Sequence, residues 1–396
     1  MNDESHRAVR IALGGLIALA AGMGIGRFVY TPILPFMVES LGLTKSQAGL
    51  IASANYLGYL LGALAASMAT LPGGRRNWFL AALLASALTT GGMGLSASMP
   101  LLMGLRFVGG IASAFVLVFS SALIFDRLAE AGRSSLSAVY FAGVGCGIVA
   151  SALLVSGVAA MGFDWPALWY ASGIVALLAL GAVIWLVPGG VELKRPAPVA
   201  QGSGIDRRLV ALAVAYGLFG FGYVIAATFI STMVRTSPDL HSIESLVWPV
   251  VGLTAAPSVA LWYWIARRLG DGRSFAIACL VEAVGVAMSV LAASEWAVLL
   301  SAALLGGTFM GIASLGFVNA ARLSTADPRR LFALMTAAFG LGQMIGPTFA
   351  GVVYDVSGSL LMPSLVAALA LVVAAILVLD DLHVWLSGFA PRGRRA

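Results

Sequence analysis

The chain has 396 residues, of which 60% are hydrophobic and 10% charged, and its mean hydropathy is +0.98. That composition excludes an ordinary soluble domain and identifies an all-α membrane protein crossing the bilayer many times. The net charge of +6 and pI of about 9.6 would invite a nucleic-acid reading on a soluble chain, but here nearly all the charge sits in short loops between apolar runs.

The start, MNDESHRAVRIALGG, carries charges like a signal peptide, yet its apolar run is too long for one and reads as an uncleaved first span. A helix needs about 20 mostly apolar residues to cross the bilayer. In chain order such runs predict twelve transmembrane helices, at 10–36, 47–71, 77–98, 100–124, 135–160, 166–187, 209–234, 246–266, 274–294, 296–321, 330–354 and 360–383. With the N-terminus placed in the cytoplasm, 19 of the 23 basic residues fall inside, against Lys45 and Arg235 outside. This asymmetry follows the positive-inside rule and predicts both termini on the cytoplasmic side of a bacterial-type inner membrane. Arg27 and Arg106 are the two basic residues left within spans. Cys146 and Cys279 also fall within spans, so no disulfide framework is expected.

The longest polar connection, PGGVELKRPAPVAQGSGIDRR at 188–208, reads as a cytoplasmic linker between an N-terminal bundle, 1–187, and a C-terminal bundle with a short basic tail, 209–396. The two match internally. Shifted by 197 residues, Gly109 and Gly110 fall on Gly306 and Gly307, Arg133 on Arg330, and Gly143 and Gly145 on Gly340 and Gly342; shifted by 196, Gly24 and Gly26 fall on Gly220 and Gly222. Each match joins spans of like orientation, so the prediction is two parallel-repeat six-helix bundles enclosing a midplane site, the plan of a secondary transporter.

This plan, with LRFVGGIASA at 105–114 and GIGRFVYTPILP at 24–35, resembles the major facilitator superfamily and, within it, the YbfB/YjiJ-like branch, over essentially the whole chain. The resemblance implies that spans 1 and 4 line a central cavity, and that the third helix of each triplet lies outside it. There are departures. GALAASMATLPGGRR has Ala66 where the superfamily's loop between spans 2 and 3 carries an acid, and ARRLGDGR holds a displaced Asp271. The proline that often marks antiporters is missing from GVGCG at 143–147 in span 5.

Arg27 stands roughly four residues past the centre of its span, ~6 Å along the axis, too deep for easy snorkelling. A central arginine costs at least ~2.5 to 3.5 kcal/mol unless paired or facing a wet cavity. Arg106 lies about seven residues in from the outer end of span 4, and the nearest acid on the first span, Glu39, is twelve residues beyond Arg27. Two cations without a counter-ion predict an anionic substrate held by a guanidinium fork. Two structural readings stand beside this one: Arg106 bonding carbonyls of neighbouring helices, and glycines at 22, 24 and 26 serving close packing or freeing carbonyls. Gly24, Gly26, Pro32 and Pro35 mark a bendable gating segment.

Tyr30, Asn55, Tyr59 and Tyr140 are further candidate lining groups, joined by Tyr223, which takes Arg27's repeat position, and Gln343; Tyr56 and Trp248 are plausible additions. Glu282, the one acid deep in a span, is the proton-coupling candidate, with a neutral packing role as its alternative. His6, His241 and His383 have no metal-ligand spacing, and nucleotide-binding and hydrolase motifs are absent, so no enzyme, cofactor or metal is expected. The expectation is a monomeric, proton-linked symporter of a small organic anion, a monocarboxylate by preference, working by alternating access; the alternatives are a multidrug-type exporter of hydrophobic compounds and a non-transporting sensor.

Overall fold

A computed structural model describes residues 3–68, 74–187, 189, 207–291, 294–323 and 328–379. Among these are twelve helices long and apolar enough to cross a membrane: His6–Leu41, Lys45–Ser67, Arg75–Leu95, Met99–Glu130, Ser134–Ala160, Trp165–Leu186, Arg207–Thr236, His241–Leu269, Asp271–Leu291, Glu295–Leu323, Leu331–Ser357 and Leu361–Val378. They are spans 1 to 12. Each predicted span has its counterpart. Several run past the predicted ends, because a helix continues into its polar flanks: Glu39 and Arg235 both belong to spans. The linker apart from residues 189, 207 and 208, the tail beyond residue 379 and His383 lie outside the described residues.

Spans 1–6 and 7–12 form two bundles that meet along two long seams, span 2 against span 11 and span 5 against span 8. The seams close because small residues face them. A Cβ added to Gly145 of span 5 would stand 2.3 Å from the backbone nitrogen of Ala256 in span 8.

Spans 1 and 7 touch at positions separated by the repeat shift itself. Thr31 Oγ1 donates to the Ala227 carbonyl at 2.7 Å, and the Arg235 guanidinium grips Glu39 with two hydrogen bonds, 2.6 and 2.8 Å; in both pairs the residues are 196 apart. Equivalent positions can meet only where the pseudo-twofold axis passes between them, so the axis runs between spans 1 and 7.

The ion pairs divide by end. At the end away from the termini Glu39–Arg235 joins the bundles, and beside it the Asp355 carboxylate of span 11 accepts the Lys45 and Ser46 backbone N–H groups opening span 2, each at 3.0 Å. An anion suits that helix N-terminus. At the end bearing the termini, the described pairs stay within a bundle: Arg75 with Asp126 at 3.3 Å and Arg322 with Asp271 at 2.6 Å. Asp271, displaced from the familiar loop pattern, thus has a partner. Shifted by 196, Arg75 falls on Asp271 and Asp126 on Arg322, so the repeats keep one ion pair with its polarity reversed.

Candidate functional site

Span 1 is three pieces: an α-helix Asp3–Leu19, a π-helix Ala20–Ile25 and an α-helix Tyr30–Leu41, with a turn between the last two. The break falls earlier than the prolines alone predict. Pro35 lies inside the third piece. Upstream, the Gly26 and Phe28 amides reach back five residues to Ala21 and Met23 carbonyls, and Thr31 N–H bonds the Phe28 carbonyl three residues back. Pro32 has no N–H to extend the usual ladder there. At the predicted gating glycines other spans approach closely: a Cβ on Gly24 would lie 2.3 Å from Gly147 Cα of span 5, and one on Gly26 would lie 2.2 Å from Ser86 Oγ.

The break frees carbonyls, and Arg106 takes them. Its Nη1 donates to Gly26 O at 3.2 Å and its Nη2 to Arg27 O at 3.0 Å, while its charge lies 5.0 Å from the Tyr30 ring centre. These bonds match the reading in which Arg106 bonds a neighbouring helix, here span 1. Other predicted lining groups are engaged the same way. Tyr30 donates to Ala48 O at 2.8 Å, Asn55 Nδ2 to Arg106 O at 2.9 Å, and the Tyr140 and Ser120 hydroxyls bond each other at 2.7 Å. All three are buried. They fasten spans 1, 2, 4 and 5 to one another.

Arg27 is different. It is 3% exposed, and its guanidinium carbon sits 4.2 Å from the Tyr59 ring centre, 4.8 Å from Tyr56 and 5.4 Å from Phe28. Its Nε and Nη2 have no hydrogen-bond acceptor, and no carboxylate among the described residues pairs with it. Facing π-clouds stabilise the charge by cation–π attraction but leave donors unused.

Across the axis, Tyr223 accepts a hydrogen bond from Gln343 Nε2, and the amide oxygen of Gln343 is buried without a donor. The Tyr223 ring stacks on Phe309 (5.7 Å between centres), Phe339 (5.9 Å) and Phe219 (5.2 Å), and Phe28 meets Phe309 edge-on. Phe28, whose ring centre lies 5.4 Å from the Arg27 guanidinium carbon, joins the two parts of this cluster. The central site is therefore a guanidinium from span 1 and an amide from span 11, each with unused polar atoms, inside walls of Tyr and Phe. Sequence reasoning missed Phe309 and Phe339, since an aromatic in an apolar helix gives no sign of which way it faces. Tyr56 had a signal in its i,i+3 spacing to Tyr59.

The centre is shut toward the end away from the termini. The void bounded by Phe28, Tyr223, Trp248 and Phe309 holds only about 10 Å³, near the size of one water. Glu282 lies elsewhere: it is fully buried on span 9, which packs on spans 10 and 12, and neither of its oxygens has a partner.

Known proteins share this fold. A chloramphenicol resistance protein of Streptomyces lividans is 26% identical over 378 residues, spanning 91% of this chain and 94% of that protein. Among solved structures, a mutant of the nucleoside transporter NupG superposes with a TM-score of 0.75 at 15% identity, covering 93% of this chain and 98% of that one. A bacterial homologue of the human lysosomal transporter Spinster, inward-facing and occupied, gives 0.70 at 16% identity, covering 98% of each chain. Residues 19–379 match the family described as "Uncharacterised MFS-type transporter YbfB". The chain belongs to that family of major facilitator superfamily transporters and is not an enzyme.

Proposed function

We propose that this transporter moves a small amphipathic organic anion by alternating access, linked to protons. The observation that carries the reading is Arg27: a buried guanidinium with two unused nitrogens and no acid beside it. A carboxylate on the substrate would supply charge and acceptors together, while Tyr56, Tyr59 and the Phe309–Tyr223 stack would cover its apolar body. Gln343 would orient a second polar group. Glu282 is the proton site under this reading, acting through the packing of span 9 because it does not reach the centre. The basic loops support both termini in the cytoplasm of the inner membrane, with the Glu39–Arg235 end facing outward.

A second reading, export of hydrophobic aromatic compounds, draws on the relative named for chloramphenicol resistance and on the aromatic walls. Arg27 separates the two. Purified protein in lipid nanodiscs, screened for thermal stabilisation by organic acids and by neutral drugs including chloramphenicol, should respond to acids. Arg27→Lys should weaken acid binding, because an ammonium lacks the planar fork, and Arg27→Ala should weaken it roughly 30-fold or more. Folded Arg27→Ala protein that binds acids like the wild type would hand the case to the second reading.

A further inference from the structure

We propose that an apolar groove at the seam between spans 2 and 11 holds an acyl chain of a bilayer phospholipid, and that the chain clamps the two bundles together toward the end away from the termini. The inference goes beyond the transport reading, since it needs neither Arg27 nor a substrate.

The groove has a volume of about 770 Å³ and is walled by spans 2 and 4 of one bundle and span 11 of the other. Leu50, Ile345 and Val352 line it and are 38%, 52% and 49% exposed, so it opens on the outer face of the bundles. Leu50 and Leu57 lie five and twelve residues beyond Lys45, which begins span 2, or ~8 and ~18 Å along its axis. In a hydrocarbon core about 30 Å thick, that depth belongs to the leaflet on the side away from the termini.

The wall suits hydrocarbon. Ser53 and Thr348 supply its hydroxyls, and both are spent on the seam: they bond each other at 2.8 Å, and Ser53 also donates to Met344 O at 2.6 Å. The other lining side chains are aliphatic, aromatic or thioether. Inside a bilayer, filling such a groove expels no water, so the gain is dispersion: walls facing a gap lose their contacts outright, and a flexible chain restores them. A helix of a second protein copy is too bulky. With its side chains a helix is about 10–12 Å across, so 770 Å³ holds fewer than two turns of one.

The clamp follows from which walls move together. A Cβ on Gly58 of span 2 would run into the Phe107 carbonyl of span 4, so these two spans pack backbone to backbone. Span 11 belongs to the other bundle. A chain lying between them keeps all its contacts only while span 11 stays against span 2, and a ligand that favours one arrangement shifts the population toward it.

The test uses the full chain in nanodiscs of palmitoyl-oleoyl phosphatidylcholine, doped with a phosphatidylcholine carrying a photoactivatable diazirine on one acyl chain. Gly104 provides the control: it lines the groove, is exposed, and a Cβ there meets nothing within 4 Å, so Gly104→Trp fills the groove without displacing a neighbour. Photolabelling should mark Leu57, Met103 and Met344 more strongly than the exposed Leu178 of span 6 and Leu369 of span 12, and the groove labels should fall several-fold in Gly104→Trp. The clamp is read with Ile148→Cys in a Cys146→Ala background, since Ile148 lines the closed central void. A membrane-impermeant thiol reagent applied from the far end should react several-fold faster in diphytanoyl phosphatidylcholine, whose methyl-branched chains fit a narrow groove poorly. Gly104→Trp should abolish that difference between lipids. Groove labelling no stronger than at Leu178 and Leu369, undiminished labelling in well-folded Gly104→Trp, equal rates in the two lipids, or a lipid dependence that persists in Gly104→Trp would each overturn the proposal. In the last case the bilayer would be acting as a bulk medium.

Discussion

Arg27 and Arg106 are both buried arginines within spans, yet their surroundings set opposite duties. Arg106 meets two carbonyls freed by the break in span 1, so its hydrogen bonds fix a backbone. Arg27 lies among the rings of Phe28, Tyr56 and Tyr59, and its Nε and Nη2 are left without an acceptor. Glu282 is the acidic counterpart of that isolation: a charged carboxylate there has nothing nearby to neutralise it, which is expensive in a low-dielectric interior. If Glu282 carries the coupled proton, Glu282→Gln should abolish proton-driven accumulation in proteoliposomes while counterflow exchange persists. Accumulation at the wild-type level would return Glu282 to a packing role.

Among elements, the paired ends of spans 3 and 4 and of spans 9 and 10 perform one task with inverted charges. Arg75–Asp126 and Asp271–Arg322 each brace two helices at the end bearing the termini. Nothing in that task depends on which helix supplies the cation. Arg75→Asp alone should place two acids together and lower the melting temperature, by roughly 2–4 °C for about 1 kcal/mol, since the pair is partly exposed. Adding Asp126→Arg should recover most of the loss, because it reproduces the polarity of the C-terminal bundle. A double variant no more stable than the single one would show that Arg75 acts through other contacts. The break in span 1 belongs to this scale too. GMGIGRFVYTP announces a weak helix, but the π-turn arises from close approach to Gly147 and from Arg106 bonding the freed carbonyls, contacts that come from spans 4 and 5.

At the scale of the molecule, the Glu39–Arg235 ion pair and the Asp355 hydrogen bonds tie the bundles at the end away from the termini. Exchange of access would require Arg235 to release Glu39 and Asp355 to release the start of span 2. Glu39→Gln removes the charge of the partner that crosses the axis. With Ile148→Cys, a fully buried wall of the closed central void, introduced into a Cys146→Ala background, a membrane-impermeant thiol reagent applied from the far end should react several-fold faster once Glu39 is Gln. Equal rates with and without Glu39→Gln would mean that the seams between spans 2 and 11 and between spans 5 and 8 hold that end shut unaided.

The sequence by itself determined the twelve spans, the repeat and the family resemblance. Each rests on local composition or on spacing along the chain, which survive without knowledge of contacts. It also isolated Arg27, since a cation at that depth is costly wherever its helix packs. What only the tertiary structure decided is which polar side chains are free. Tyr30 and Arg106 read from the sequence just as Arg27 does. The difference between a structural hydrogen bond and an open one lies in a carbonyl supplied by another span, or in its absence.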